Sequence, residues 1–408
     1  IFVFFKWHNL GYNIYNKMKY QIKFYTIIIF FIISFCFKSI ANDRIKIGLV
    51  IPLSGEHKEL GQSILKSVRL AINDINDNRI EIVPRDNKNS PDQTLEVSKE
   101  LYNQGAKIII GPIFKKNTLK LNQINNDLIF LSFTNKIDIS KKNIISAGVN
   151  SVSQFNAIKK FQDLNKLERS YLFAPNNEIL KEIKIGIKVS KIKLKDSYFY
   201  DPNPTLITRQ IEDVTRYRIR KQNLLDEIER VEKSSDVNKE KKIIQLKKLD
   251  TIGGINFDSV IIADFEETLK SVGTSLIYTD IPPKRVTYIT FNQWFDKSLQ
   301  NETMMQPIYF PSVNYENYTS YLKKYYENFG SSSNQIAFLS YDLTGLVYYL
   351  LFKNNFIVDN KIFYKENSFK GKIGIFEINK NTITHKLNFY GIENREIKKI
   401  FWFFQKLY

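Results

Sequence analysis

The stretch Ile45–Leu53, IKIGLVIPL, followed by Ser54-Gly55 and then by Gly61–Ile75, GQSILKSVRLAINDI, decides how this chain is read. The first run is apolar apart from Lys46 and has the length of a strand. A strand without polar alternation is buried on both faces, the condition of a parallel sheet. The second run places Ile64, Leu65, Val68, Ala71, Ile72 and Ile75 on one helical face. Strand, short loop and amphipathic helix form the repeating unit of α/β layers.

The same alternation continues outward. Ile80–Val83 is a second strand, Thr94–Tyr102 a helix, and Lys107–Ile110 a strand stopped by Gly111-Pro112. A helix through Lys116–Asn125 and the strand Leu128–Phe133 follow. After Asn150 the pattern restarts with helices Gln154–Leu164 and Ile179–Val189. Its strands are Ser170–Phe173, Asp196–Tyr200, Val260–Ala263 and Val286–Thr290. Helices Tyr315–Phe329 and Ala337–Phe352 precede a β-like tail around Gly374–Ile378. The expected fold is α/β, with two doubly wound parallel-sheet lobes and ligands outside the carboxyl ends of the strands. Leu206–Leu249 breaks the rhythm, with no Gly or Pro and dense Lys, Arg and Glu. Leu224, Leu225, Ile228 and Val231 sit at helical spacing and Ser234-Ser235 marks a turn, so a charged helical hairpin insertion is expected at about 206–250. Such a segment is an interaction arm or a solvated face over a thin buried stripe.

The first Met is Met18, and from there the text has the form of a secretory signal. Lys19 and Lys23 precede the apolar run Tyr25–Phe37, and Ser39-Ile40-Ala41 carries small residues for cleavage. The run is too short for a membrane-spanning helix, which needs about 20 residues. Residues 18–41 are therefore expected to be a signal peptide rather than an uncleaved anchor, and 1–17 upstream read-through. Cys36, the single Cys, falls inside this segment; the bulky Phe35 before it argues against a lipid acceptor. Removing 1–41, which holds five Lys and no acid, lowers the formal charge from +18 to +13 and leaves no thiol. A chain without thiols suits an oxidising compartment such as the periplasm.

A length of 408 residues accommodates about two domains. One Cys excludes an internal disulfide and a cysteine zinc site, and three scattered His leave little for a metal, so neither metal nor cofactor is expected. No G-x-S-x-G, H-E-x-x-H, C-x-x-C or G-x-G-x-x-G occurs. Gly55–Ser63 fails as a phosphate loop, with one residue too many between its glycines and Gln62 where Lys is needed. His57 and His385 read as surface histidines, and no enzyme chemistry is expected. The basic excess comprises 48 Lys against 12 Arg. Arg216, Arg218 and Arg220 alternate, which spreads them around a helix, so nucleic acid is not an expected partner.

Lys46–Leu53 with Ser54-Gly55 and Gly61-Gln62 resembles the opening of type I periplasmic binding proteins, the leucine-binding family. Gly111-Pro112 and Leu131-Ser132-Phe133-Thr134-Asn135 are similar to that family's next two cleft loops. Ser340-Tyr341-Asp342 and Phe369-Lys370-Gly371 with Gly374 and Phe376 fit its late helix and tail. The resemblance implies two lobes joined by three crossovers, near 149, 314 and 367, and a cleft that closes on a ligand without catalysis. The N-terminal lobe is then 45–149 plus 314–366, and the C-terminal lobe 150–313 plus 367–408. Amino-acid binders of the family hold the ligand carboxylate with hydroxyls and helix N–H groups after Gly-Pro. Here Ile113-Phe114-Lys115-Lys116 follow, with no hydroxyl before Thr118. Asp264 is the candidate partner for a ligand ammonium, and Trp294 the candidate for stacking. The resemblance and the switch-point rule together make Ser54, Gly55, Pro112, Phe114, Ser132, Thr134, Asn135, Asp264 and Trp294 the cleft candidates. The hairpin, Leu249-Asp250-Thr251-Ile252-Gly253-Gly254 and Phe257-Asp258 are similar to the penicillin-binding protein activators of this fold. That branch implies a periplasmic regulator partnered with a penicillin-binding protein, a peptidoglycan synthase. The transport branch implies a substrate-binding protein for amino acids or related small solutes, partnered with an inner-membrane ABC permease. In either case the cleft is where a small-molecule ligand is expected.

Overall fold

The computed structural model describes residues 44–124, 127–136, 143–364, 367–379 and 381–401. The expected signal segment and Cys36 lie outside them. Two compact units are distinguished. Ile45 groups with Asn78–Glu81, its N–H donating to the Arg79 carbonyl at 2.8 Å. Lys46–Asp77 and the described residues from Ile82 onward form the other, which holds nearly all of both sheets.

The first half of the chain lays down β1 (Ile45–Ile51), α1 (Lys58–Ile75), β2 (Ile80–Asp86), α2 (Pro91–Asn103), β3 (Ile108–Ile110), α3 (Lys115–Lys120), β4 (Ile129–Ser132) and β5 (Ile144–Ser146). β3 pairs in parallel with β1 and with β4, and β4 in parallel with β5. Apart from Ile45 and Lys46 at the start of β1, their residues are buried, as unalternated apolar strands require. Val50, Ile109 and Phe130 meet Leu101 of α2 and Leu121 in one cluster.

The second half repeats the plan: α4 (Ser151–Asn165), β6 (Ser170–Pro175), α5 (Leu180–Ser190), β7 (Asp196–Tyr200), α6 (Pro204–Val214), α7 (Tyr217–Glu232), α8 (Lys239–Leu246), β8 (Ser259–Ile262), α9 (Glu266–Tyr278), β9 (Thr287–Thr290), α10 (Lys297–Asn301) and β10 (Ile308–Ser312). Then come α11 (Tyr315–Phe329), α12 (Gln335–Lys353), β11 (Asn367–Lys370), β12 (Ile375–Asn379), β13 (Thr382–Lys386), β14 (Asn388–Glu393) and β15 (Glu396–Phe401). The sheets run β11-β12-β13-β5-β4-β3-β1-β2 and β15-β14-β10-β9-β8-β6-β7. The core order of the second, 7-6-8-9-10, repeats the 2-1-3-4-5 of the first. Each sheet therefore reverses direction once, at β1/β3 and at β6/β8.

The chain passes between sheets after β5, after β10, and at Leu387 between β13 and β14. The last passage corrects the expectation near 367: residues 367–386 stay with the first sheet, where β13 pairs in parallel with β5. The reason is a buried carboxylate. Asp342 of α12 accepts the Lys372 N–H at 2.9 Å and the Ile373 N–H at 2.5 Å, clasping the β11–β12 hairpin to that helix. α12 itself packs along α1, where the Ser67 hydroxyl donates to the Ala337 carbonyl at 2.5 Å.

The charged insertion is three helices rather than a simple hairpin. Arg216, at φ 52°, separates α6 from α7, and Ser234-Ser235 lies in the turn to α8. Buried Arg220 anchors it through the Thr215 carbonyl (3.0 Å), the Thr251 hydroxyl (2.9 Å) and the Thr279 carbonyl (2.5 Å). Leu224 and Val231 form the thin buried stripe, whereas α8 buries no residue.

Gly61 explains the opening motif. A Cβ there would stand 1.7 Å from the Pro52 carbonyl oxygen, because α1 crosses directly over the end of β1. Backbone cannot yield as a flexible side chain does, so Gly61→Ala is expected to destabilise the fold by about 1–3 kcal/mol. Urea unfolding measures this; an unchanged midpoint would contradict the close approach.

Candidate functional site

In doubly wound sheets the crevice for ligands opens outside the carboxyl ends at the order reversals. The loops leaving those ends here are 111–114 after β3, 133–136 after β4, 147–150 after β5, 263–266 after β8 and 291–296 after β9. They wall two adjoining cavities of about 460 and 340 Å³, which share Asn135, Val149, Trp294 and Gln335. The larger is lined also by Gln154, Phe265, Glu266, Asn292 and Gln293. The smaller has the apolar walls Ile113, Phe114, Ile336 and Leu339, with Lys115 and Lys136.

Four sequence candidates meet there: Phe114, Thr134, Asn135 and Trp294. Phe114 is half-buried, with the His57 ring 4.7 Å away. The Thr134 hydroxyl accepts the Lys136 N–H at 3.2 Å. Trp294 and its neighbour Phe295 have φ of 50° and 61°, a conformation that costs a bulky residue of order 1–3 kcal/mol. The Trp294 N–H donates to Asn292 Oδ1 at 3.0 Å, and the Phe295 ring packs edge-on against Tyr390 at 5.0 Å, which holds the turn.

The other five do not line either cavity. Ser54 donates to Asp86 Oδ2 at 2.5 Å, and the Leu53 N–H donates to Oδ1 at 2.8 Å. Burial of Asp86 works against its ionisation, but these bonds outweigh it and hold its pKa below the usual carboxylate range. Gly55, at φ 72°, turns the chain into α1. Pro112 is buried behind Ile113, and its carbonyl accepts the Ser132 hydroxyl at 2.8 Å. The Ser132 and Thr118 hydroxyls lie 2.9 Å apart and bond each other. Asp264 is buried: its carboxylate accepts the Tyr200 hydroxyl at 2.5 Å and the Phe265 N–H at 2.8 Å. Burial raises its pKa, against those two bonds.

Sequence reasoning missed the amides Gln154, Asn292, Gln293 and Gln335. Gln154 Oε1 accepts the Asn292 N–H at 2.7 Å, and Gln293 Nε2 donates to the Asp264 carbonyl at 3.0 Å. Asn292 Oδ1 also accepts the Ser312 hydroxyl at 2.7 Å, while its buried Nδ2 has no partner among the described residues. The signal that was available is position: Asn292 and Gln293 follow a strand end as Trp294 does.

The cleft is hinged where the first and third passages run side by side. Asn150 caps α4 by accepting the Ser153 N–H at 3.0 Å and donates from Nδ2 to the Ile383 carbonyl at 2.9 Å. The His385 N–H donates to the Ser153 hydroxyl at 2.9 Å, and its Nε2 lies 2.9 Å from the Ala147 carbonyl. His385 is thus no surface residue; it is 2% exposed. Burial pushes its pKa down to about 4, against the hydrogen bonds from its ring to the backbone.

A profile of the family described as periplasmic binding protein matches residues 44–176. No curated protein sequence matches the chain. Among solved structures, the C-domain of LpoA (YraM) from Haemophilus influenzae, a regulator of PBP1A, aligns with a TM-score of 0.61 at 14% identity, over 87% of this chain and 100% of that one. A putative branched-chain amino acid ABC transporter from Rhodospirillum rubrum aligns with a TM-score of 0.63 at 11% identity, over 88% and 100%. The substrate-binding protein LivJ from Streptococcus pneumoniae, in complex with isoleucine, aligns with a TM-score of 0.51 at 15% identity, over 87% and 98%. The fold is that of the two-lobed type I periplasmic binding proteins.

The hinge histidine makes a pH-dependent prediction. With its pKa depressed from 6.5 to about 4, the folded state refuses a proton that the unfolded state accepts, so stability is lost as pH falls from 6.5 toward 4. The loss between pH 7 and 5 is about 2 kcal/mol. His385→Gln cannot titrate, so the stability gap between it and the parent is expected to narrow by that amount at pH 5. Other titrating groups, Asp342 included, are common to both proteins and cancel in the comparison. Parallel urea titrations at the two pH values measure the gap; a constant gap would refute the buried neutral imidazole.

Proposed function

We propose that this protein, with the two-lobe fold of the type I periplasmic binding proteins, is a non-catalytic periplasmic regulator of a peptidoglycan synthase, similar in role to the penicillin-binding protein activators. The observation that carries this is the engagement of the groups an amino-acid ligand would need. The hydroxyls nearest the helix after Gly111-Pro112 are engaged locally: Ser132 Oγ donates to the Pro112 carbonyl at 2.8 Å, and the Thr118 hydroxyl, 2.9 Å from Ser132 Oγ and 3.1 Å from the Phe114 carbonyl, donates to one of these two. The acid of the second lobe, Asp264, is held by Tyr200. Neither end of a zwitterion then finds its usual partner, although the fold that surrounds the site is retained.

A protein surface is the alternative means of action. α7 is fixed to its lobe by Arg220 and carries α8 outward, with Ile219, Val237 and Ile244 each more than half exposed. The neighbour that is a regulator of PBP1A supports this reading, and so does the likeness of the insertion to the activator branch. The transport reading, a substrate-binding protein delivering amino acids or related solutes to an ABC permease, is favoured by the open cleft and by the transporter neighbours.

The discriminating experiment is co-purification of the full chain with a penicillin-binding protein. Retention is expected, and it should fall at least tenfold when 217–246 is replaced by a short flexible linker. No retention, together with saturable stabilisation by an amino acid in a thermal-shift panel, would overturn the regulator reading. A true ligand at a hundredfold excess over Kd adds about 2.7 kcal/mol.

A further inference from the structure

We propose that the cleft takes a neutral saccharide, its ring laid against Trp294 and its hydroxyl and acylamino groups met by side-chain amides. The polar lining of the larger cavity is dominated by Asn135, Gln154, Asn292, Gln293 and Gln335. An amide supplies a donor and an acceptor together, which matches a hydroxyl that both donates and accepts. Charged ligand groups call instead for opposite charges at the contact. Among the described residues no Lys or Arg lines this cavity. Of its two acids, Asp296 is already engaged, accepting the Ser298 N–H at 2.8 Å and its hydroxyl at 2.6 Å, and Glu266 is an exposed residue at the start of α9, where its carboxylate can accept a ligand hydroxyl as the amides do.

Asn292 marks where the ligand would bond. The residue is 3% exposed, its Oδ1 is engaged by Ser312 and by the Trp294 N–H, and its Nδ2 bonds nothing among the described residues. A buried donor without an acceptor is unfavourable, and a ligand oxygen brought within hydrogen-bond reach as the wall adjusts around it would satisfy it. The same side chain holds the Trp294 turn through its Oδ1, so the residue with the unpaired donor and the aromatic residue belong to one wall of the cavity. Trp294 is half-buried and stands where the two cavities join. One face of a sugar ring carries mainly C–H groups and suits an aromatic plane, while its rim carries the hydroxyls. The smaller cavity, with Ile113, Ile336 and Leu339, provides the apolar wall for a substituent such as an N-acyl methyl.

This inference concerns the cleft alone and stands whichever protein partner the surface engages. It is tested by titration calorimetry of the full chain with N,N′-diacetylchitobiose and maltose, with leucine and glutamate as controls. Saturable binding of at least one saccharide is expected, weakened tenfold or more by Trp294→Ala and by Asn292→Asp, which keeps the Oδ1 acceptor and removes the unpaired donor. Gln335→Ala, on the exposed first turn of α12, should weaken binding several-fold and remains informative if either other variant fails to fold. Binding of the amino acids only, no binding of either saccharide, or saccharide binding that the folded variants leave unchanged would each overturn it. Synthase retention without saccharide binding defeats this inference and leaves the regulator reading intact; the converse result does the opposite.

Discussion

Parallel pairing is the constraint on which the rest of this structure depends. Strands such as Ile108–Ile110 and Ser259–Ile262 are buried throughout, so helices must cover both faces of each sheet. A parallel strand can be reached only by returning the chain over a face, and this leaves the carboxyl ends as the place where loops gather. Both sheets share one order reversal, so each lobe contributes the same kind of loop cluster to the cleft. The close crossing of α1 over Pro52 at Gly61 belongs to the same arrangement, since the helix must leave the strand end at once.

The hinge joins the lobes by polar rather than apolar means. Asn150, Ser153 and His385 connect the first and third passages through short bonds to backbone, and all three are buried. Such a cluster fixes the two strands relative to each other in a way that a greasy contact would not, because hydrogen bonds impose direction and distance. The neighbouring clasp of Asp342 on the 371–373 turn works likewise, using one carboxylate to terminate two backbone donors. The late sequence motif is thereby explained as architecture of the first lobe rather than as part of the cleft.

The cleft differs from one built for a zwitterion in where its hydroxyls and acids point. Ser132 and Thr118 satisfy each other beneath Pro112, Ser54 is held by Asp86, and Asp264 by Tyr200. What faces the larger cavity is mostly amide and aromatic surface beside the acids Glu266 and Asp296, and Lys115 and Lys136 line the smaller one; the backbone is strained at Glu266, Trp294 and Phe295. The proposed regulatory role rests on the engagement of those hydroxyls and of Asp264, and the proposed saccharide ligand on the amides and Trp294, so each can fail alone.

Residue order alone determined the alternation of strands and helices, and with it the reversal loops. Apolar runs and helical spacing are local properties, and Phe114, Thr134, Asn135 and Trp294 could be placed at strand ends from them. Tertiary structure decided what those loops do. Asn and Gln have no periodicity and are common in this chain, so nothing marked Gln154, Asn292 and Gln335 until the fold brought them to one wall. The third passage lies at Leu387, which no Gly or Pro marks, and not near 367 as the resemblance implies, because Asp342 holds the 371–373 turn to the first lobe. His385 read as a surface residue because a lone polar residue between Thr384 and Lys386 carries no sign of burial. Partners distant in sequence settle such cases, since a polar group is buried only where the folded chain brings it a hydrogen bond.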